Sequence, residues 1–205
     1  MNLTKTPWLV KKLYPNLIWN MSPESRCIYL TFDDGPIRIV TPFVLNILKL
    51  YDAKATFFCI GDNVSKHPEV FEQLKNEGHA IGSHTYNHLN GWDTDDETYL
   101  DNFTRADKLT NTNLFRPPYG RIKKSQIKQL KAIKPKLDII MWSVLSRDYD
   151  QTLDPEKCLE NVLKHTKAGD IVLFHDSLKA RERMEYALPR ALEYWSGKGY
   201  EFKAL

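Results

Sequence analysis

An α/β fold on a parallel sheet, either closed as a barrel or doubly wound, is what three features of this sequence predict. Apolar strand-like runs alternate with amphipathic helical runs along the whole chain, at spacings suited to βαβ units. Proline, glycine and acidic cap signals separate one run from the next. The polar residues that carry chemistry fall where strand runs finish, which is where parallel sheets bind ligands. With 205 residues and no repeat, low-complexity tract or linker, one domain with a substantial core is expected.

Residues 1–25 read as an irregular arm packed on the domain through Trp8, Tyr14 and Trp19, and residues 26–205 as the domain itself. Cys27-Ile28-Tyr29-Leu30 is a buried strand, closed by Thr31-Phe32-Asp33-Asp34-Gly35-Pro36. Thr41 as N-cap, with Pro42 in the first turn, opens a helix through Leu50. A second strand, Lys54 to Ile60, is closed by Gly61-Asp62-Asn63. A helix from Pro68 to Glu77 puts Val70, Phe71 and Leu74 on one face and stops at Gly78. His79 to Gly82 is a short strand, and a polar loop with Trp92 leads to an acidic helix start at Thr94 to Glu97 that runs to about Leu109. Leu114 to Arg116 forms a strand ending in Pro117-Pro118-Tyr119-Gly120, followed by a basic helix from Lys124 to Ile133. Asp138 to Val144 reads as one strand, Asp154-Pro155-Glu156 caps a helix ending near Gly169, and Ile171 to His175 is a continuous apolar strand. A helix from Glu185 to Trp195 and a short strand finish the chain.

Composition excludes several classes. A formal net charge of +3 is too small for a nucleic-acid binder, and Lys123, Lys124, Lys128 and Lys131 read as one solvated helix face. No run of about 18 apolar residues is present, so no transmembrane helix is expected. Lys11 and Lys12 precede an apolar stretch that Pro15, Asn16 and Asn20 interrupt, a poor signal-peptide core. A cytoplasmic location is the default, with export open if a signal was removed; nothing in the sequence sets an oligomeric state. Cys27, Cys59 and Cys158 are widely spaced and read as buried free thiols rather than a disulfide framework or cysteine zinc site.

The adjacent carboxylates of Asp33 and Asp34 are costly at a buried strand end, and a cation there would offset their repulsion. Strand alternation would point them apart, whereas Gly35-Pro36 breaks the alternation and lets both approach one site. His84 and His88, at i and i+4, would share one face of a helical turn, a spacing suited to one metal ion. Two histidines and an aspartate suit zinc, with other divalent ions tolerant of nitrogen and oxygen ligands also compatible, and leave a coordination position open for water or substrate.

Thr31 to Pro36, His84 to His88, Arg116-Pro117-Pro118-Tyr119 and Leu173-Phe174-His175 occur in the order and form of the polysaccharide deacetylases. The chain thereby resembles the NodB-homology domain of carbohydrate esterase family 4. The resemblance implies a distorted, incomplete (β/α) barrel that removes acetyl groups from N-acetylglucosamine-containing glycans, using one divalent metal ion, Zn2+ first, with Co2+, Ni2+ or Mn2+ as alternatives. It implies Asp34, His84 and His88 as metal ligands, Asp33 as general base and Arg116 as the partner that orients Asp33. His175 would be the general acid, oriented by Asp148. The backbone N–H of Tyr119 would steady the oxyanion, and Leu173, Trp142 and Tyr149 would line the acetyl pocket. One motif departs from the family pattern: Tyr149 stands where a tryptophan is usual and Leu145 where a further acid often occurs. Two other readings stay open, an amidohydrolase acting on a small C–N substrate and a carbohydrate-binding protein without catalysis.

Overall fold

Strand β1 (Cys27–Asp33) shows how the chain divides its faces. In this computed structural model, which describes residues 4–205, Ile28, Leu30 and Phe32 are buried in the largest apolar cluster. Tyr29, Thr31 and Asp33 alternate with them and so point to the opposite face. Parallel strands β2 (Ala55–Cys59) and β7 (Ile171–His175) flank β1, setting Phe32 level with Phe57 and Phe174. The Phe32 ring stacks on these two at centroid separations of 5.0 and 6.1 Å.

The sheet continues through β3 (Ala80–Ser83), β4 (Leu114–Phe115) and β5 (Asp138–Ile139) on one side and β6 (Val144–Leu145) on the other. Its order is β5-β4-β3-β2-β1-β7-β6, every pairing parallel, with β8 (Glu201–Phe202) added at the start of β1. The sheet curls into a half-barrel, as expected for an incomplete (β/α) barrel.

Eight α-helices are described: α1 (Trp8–Leu13), α2 (Thr41–Leu50), α3 (Gly61–Lys66), α4 (Pro68–Asn76), α5 (Asp96–Thr110), α6 (Lys124–Ile133), α7 (Pro155–His165) and α8 (Arg181–Gly197). Helices α2 and α8 cover the Phe32 face, while Tyr99 and Phe103 of α5 and Leu130 of α6 pack with Phe115 and Ile139 in a second core. All three cysteines are buried free thiols. No described helix is long and apolar enough to cross a membrane.

Several local expectations need correction. The run 138–144 is two short strands, because Ile140 N–H bonds Phe115 while Ser143 N–H bonds Ile171 across the opening of the half-barrel. That opening is lined by the N-terminal arm, whose Lys5, Ile18 and Asn20 bridge to Val144, Ile140 and Asp170. Within the arm Trp19 is buried, but Trp8 is 72% exposed and anchors nothing; it lies on a helix, α1, that irregular reading missed. Gly61-Asp62-Asn63 starts α3 rather than a turn. Helix α7 stops at His165, and α8 begins at Arg181 and carries Pro189 within it.

Candidate functional site

Alternation along the strands gathers side chains on the concave face. Asp33 on β1 and Leu173 and His175 on β7 share that face, with Asp33 and His175 in register at the carboxyl ends. Arg116, immediately after β4, lies fully buried beneath them. Its Nη1 donates to Asp33 Oδ1 at 2.7 Å and to Thr31 Oγ1 at 2.8 Å, and its Nη2 and Nε donate to the carbonyls of Met141 and Ile140. The guanidinium sits 4.1 Å from the centroid of the Phe58 ring. Burial lowers the Arg116 pKa, and the Asp33 carboxylate acts against that shift.

Asp34 follows the last strand residue with a φ of 82°, a left-handed conformation that aspartate tolerates better than most residues. It therefore faces the same cavity as Asp33 instead of the opposite side. Its Oδ1 lies 3.3 Å from His88 Nε2 and 3.8 Å from His84 Nε2. One ligand atom from each of Asp34, His84 and His88 falls within 4.8 Å of the other two.

The two histidines meet without a helix. Residues 84–88 form a loop with positive φ at Thr85 and His88, which corrects the helical placement expected from their spacing. The loop is shaped from α5: Asn102 Oδ1 accepts the N–H groups of Tyr86 and Asn87, and Asn102 Nδ2 donates to Asn87 Oδ1. Ring centroids of His84 and His88 are 5.0 Å apart. His84 Nδ1 lies 2.7 Å from the Arg116 carbonyl. A carbonyl only accepts, so Nδ1 carries the hydrogen and Nε2 presents its lone pair to the aspartates. Burial pushes His84 down to about 4, which keeps that lone pair free at neutral pH.

Asp34 is held well below the usual carboxylate range: burial opposes its charge, but the His88 imidazole 3.3 Å away, together with those of His175 and His84, outweighs it. Its Oδ1 is buried and has no hydrogen-bond partner of good geometry among the described residues. An ionised, orphaned oxygen flanked by two imidazole nitrogens fits a divalent cation, and the two-nitrogen, one-oxygen set suits zinc among such ions.

Across the cavity His175 Nδ1 lies 2.7 Å from Oδ1 of the buried Asp148, whose Oδ2 accepts the His175 backbone N–H at 2.7 Å. Burial disfavours the imidazolium, yet the Asp148 charge and hydrogen bond, helped by Asp34 and Asp33, raise His175 to about 9. The cavity, of about 490 Å³, is lined by Asp33, Asp34, His84, His88 and His175 together with Tyr119, Trp142, Tyr149, Leu173 and Leu145, with Arg116 and Asp148 buried behind it. The Tyr149 ring meets His175 edge-on at 5.3 Å, so the residue that departs from the family pattern stands beside the histidine. All of the site residues expected from the sequence thus converge on one cavity or directly support it.

Sequence reasoning missed two basic residues at the rim, Arg121 and Lys179, and the ring of hydrogen bonds behind Asp34. Asn63 donates to the Asp34 carbonyl, and Asp176 accepts the Gly35 N–H. Thr41 does not cap α2: its hydroxyl donates to Asp176 and accepts the Ile37 N–H.

A family profile described as polysaccharide deacetylase matches residues 20–136. A peptidoglycan-N-acetylglucosamine deacetylase of Bacillus cereus is 35% identical over 201 residues, covering 95% of this chain and 94% of that protein. A chitooligosaccharide deacetylase of Azorhizobium caulinodans is 35% identical over 163 residues, 76% of each chain. The crystal structure of the Bc1960 peptidoglycan N-acetylglucosamine deacetylase in complex with a naphthalenyl-N-oxidanyl-benzamide superposes with a TM-score of 0.88 at 30% identity, covering 98% of this chain and 95% of that one.

Proposed function

The chain belongs to the polysaccharide deacetylase family, and we propose that it hydrolyses N-acetyl groups of N-acetylglucosamine units in a glycan, releasing acetate and leaving a free amine. Peptidoglycan is the favoured glycan, because the Bacillus cereus relative and the solved structure both carry that name; a chitin-like oligomer is the comparison to run beside it.

One observation carries the reading: adjacent aspartates are separated into different environments. Asp33 is paired to Arg116 at 2.7 Å, while Asp34 faces two imidazoles and no strong donor. Asp34, His84 and His88 would hold one divalent ion, zinc in the first instance. When bound, such an ion polarises the acetyl carbonyl and makes water more acidic.

Asp33 accepts the proton of the attacking water. Its Oδ1 is occupied by Arg116, which leaves Oδ2, 3.8 Å from His84 Nε2, turned toward the metal ligands. Arg116 holds that carboxylate fixed in the buried site through a charge-assisted hydrogen bond. His175 gives its proton to the departing amine. Asp148 holds the Nδ1 side, so the Nε2 proton is the one delivered, and the raised pKa keeps it present at neutral pH. Leu173, Trp142 and Tyr149 wall the acetyl group, and the backbone N–H of Tyr119 steadies the oxyanion.

Asp33→Asn tests this division of labour. The variant is expected to bind zinc as the parent does and to release acetate from peptidoglycan or chitooligosaccharides at least roughly 100-fold more slowly, the scale of a lost general base. Near-parental turnover by that variant would remove Asp33 from the role.

A further inference from the structure

We propose that Asp176 is the positioning residue that sets the Asp34 carboxylate, acting through the backbone of the turn that follows β1. The inference rests on reading Asp34 as a metal ligand. Strand geometry cannot place Asp34, because β1 ends at Asp33 and the next residue turns left-handed. Something else must hold the turn, and its polar groups show what does. Asn63 Nδ2 donates to the Asp34 carbonyl at 2.7 Å, and the Ile60 N–H donates to the Gly35 carbonyl at 2.9 Å. Gly35 N–H donates to Asp176 Oδ1 at 3.0 Å, and the Thr41 hydroxyl donates to Asp176 Oδ2 at 2.6 Å. Thr41 in turn accepts the Ile37 N–H at 2.7 Å. Asp176 also donates its own N–H to the Asp33 carbonyl at 3.1 Å.

Asp176 therefore grips the turn by main chain and side chain together. It belongs to the segment that continues from His175, so it ties the metal-ligand turn to the strand bearing the proposed acid. Both of its oxygens are taken by donors, the side chain is fully buried, and it does not line the cavity. It has no route to substrate, which leaves positioning. Gly35 is the matching half of the contact: a Cβ built there would lie 1.9 Å from Asp176 Oδ2, so the carboxylate occupies the space any side chain would need.

The test is zinc affinity, measured by competition with a chromophoric chelator, alongside thermal melts and KM at saturating zinc. Asp176→Ala is expected to weaken zinc binding by roughly 10- to 100-fold, the scale of a lost outer-shell partner, with KM unchanged once zinc is saturating. Asp176→Asn keeps an acceptor for Gly35 and should fall between the two. Thr41→Val should shift affinity in the same direction, whereas Thr41→Ser should match the parent; this pair decides the matter if Asp176→Ala does not fold. Folded Asp176→Ala and Thr41→Val with parental zinc affinity would overturn the inference alone. A parent protein that binds no divalent ion would overturn the reading of Asp34, and this inference with it.

Discussion

Asp148→Asn removes the charge that makes His175 an acid at neutral pH while keeping the size of the side chain. In the parent, burial alone would push His175 below its ordinary 6.5, and Asp148 is the main reason it stands at about 9 instead. A group whose folded pKa is raised is protonated below that value and loses its proton as pH rises through it. The acid form, and the stability the pair contributes, is thus fully present below 6.5 and lost as pH climbs through about 9. The gap between these values corresponds to roughly 3 kcal/mol of preference for the charged form. Without Asp148, His175 returns to 6.5 or lower, so at pH 8 the protonated fraction falls from about nine-tenths to a few hundredths, a loss on the order of 30-fold. The assay is the pH profile of acetate release at saturating zinc. Its basic limb is expected near 9 in the parent and at least two units lower in the variant, with activity partly retained under acidic conditions. Coincident basic limbs would refute the assignment of His175 as the acid that Asp148 tunes.

Other substitutions probe the parts separately. Arg116→Met leaves the Asp33 carboxylate buried and unpaired, and is expected to cost about 3–5 kcal/mol in denaturant unfolding as well as activity; an unchanged midpoint would mean the ion pair is not structural. Gly35→Ala should lower zinc affinity together with stability, because its Cβ cannot coexist with Asp176 in place, and calorimetry with metal titration reads both. Phe32→Ala empties the stack between Phe57 and Phe174 and should destabilise the protein by about 3–5 kcal/mol, measured by chemical denaturation.

Much of this molecule was legible locally. The run 124–133 reads as a basic helix and 171–175 as a continuous apolar strand, and α6 and β7 occupy those bounds. The candidate site residues were legible as a group because parallel topology sends every strand end to one rim, so Asp33, His84, Arg116 and His175 meet despite their separation in sequence. What escaped depends on distant partners. His84 and His88 converge through a left-handed loop pinned by Asn102, not through the helical turn their spacing suggests. Asp176 and Thr41 are 135 residues apart, and nothing local in Thr41-Pro42 tells a helix cap from a hydroxyl committed to a distant carboxylate. The break within 138–144 arises because the segment passes from one edge of the open sheet to the other, and an apolar run looks the same whichever neighbour it pairs with. The exposure of Trp8 is not legible in the sequence, because aromatic character alone does not tell which side of α1 meets the domain.

The central proposal is that Asp34, His84 and His88, whose ligand atoms lie together, hold one divalent ion. The most direct test is acetate release from peptidoglycan and chitooligosaccharides by protein stripped with a chelator, then resupplied with one equivalent of zinc, cobalt, nickel or manganese. The stripped protein is expected to be inactive and to recover on adding back a single equivalent, with Asp34→Ala failing to recover. Full acetate release by stripped protein, or equal recovery by Asp34→Ala, would contradict it.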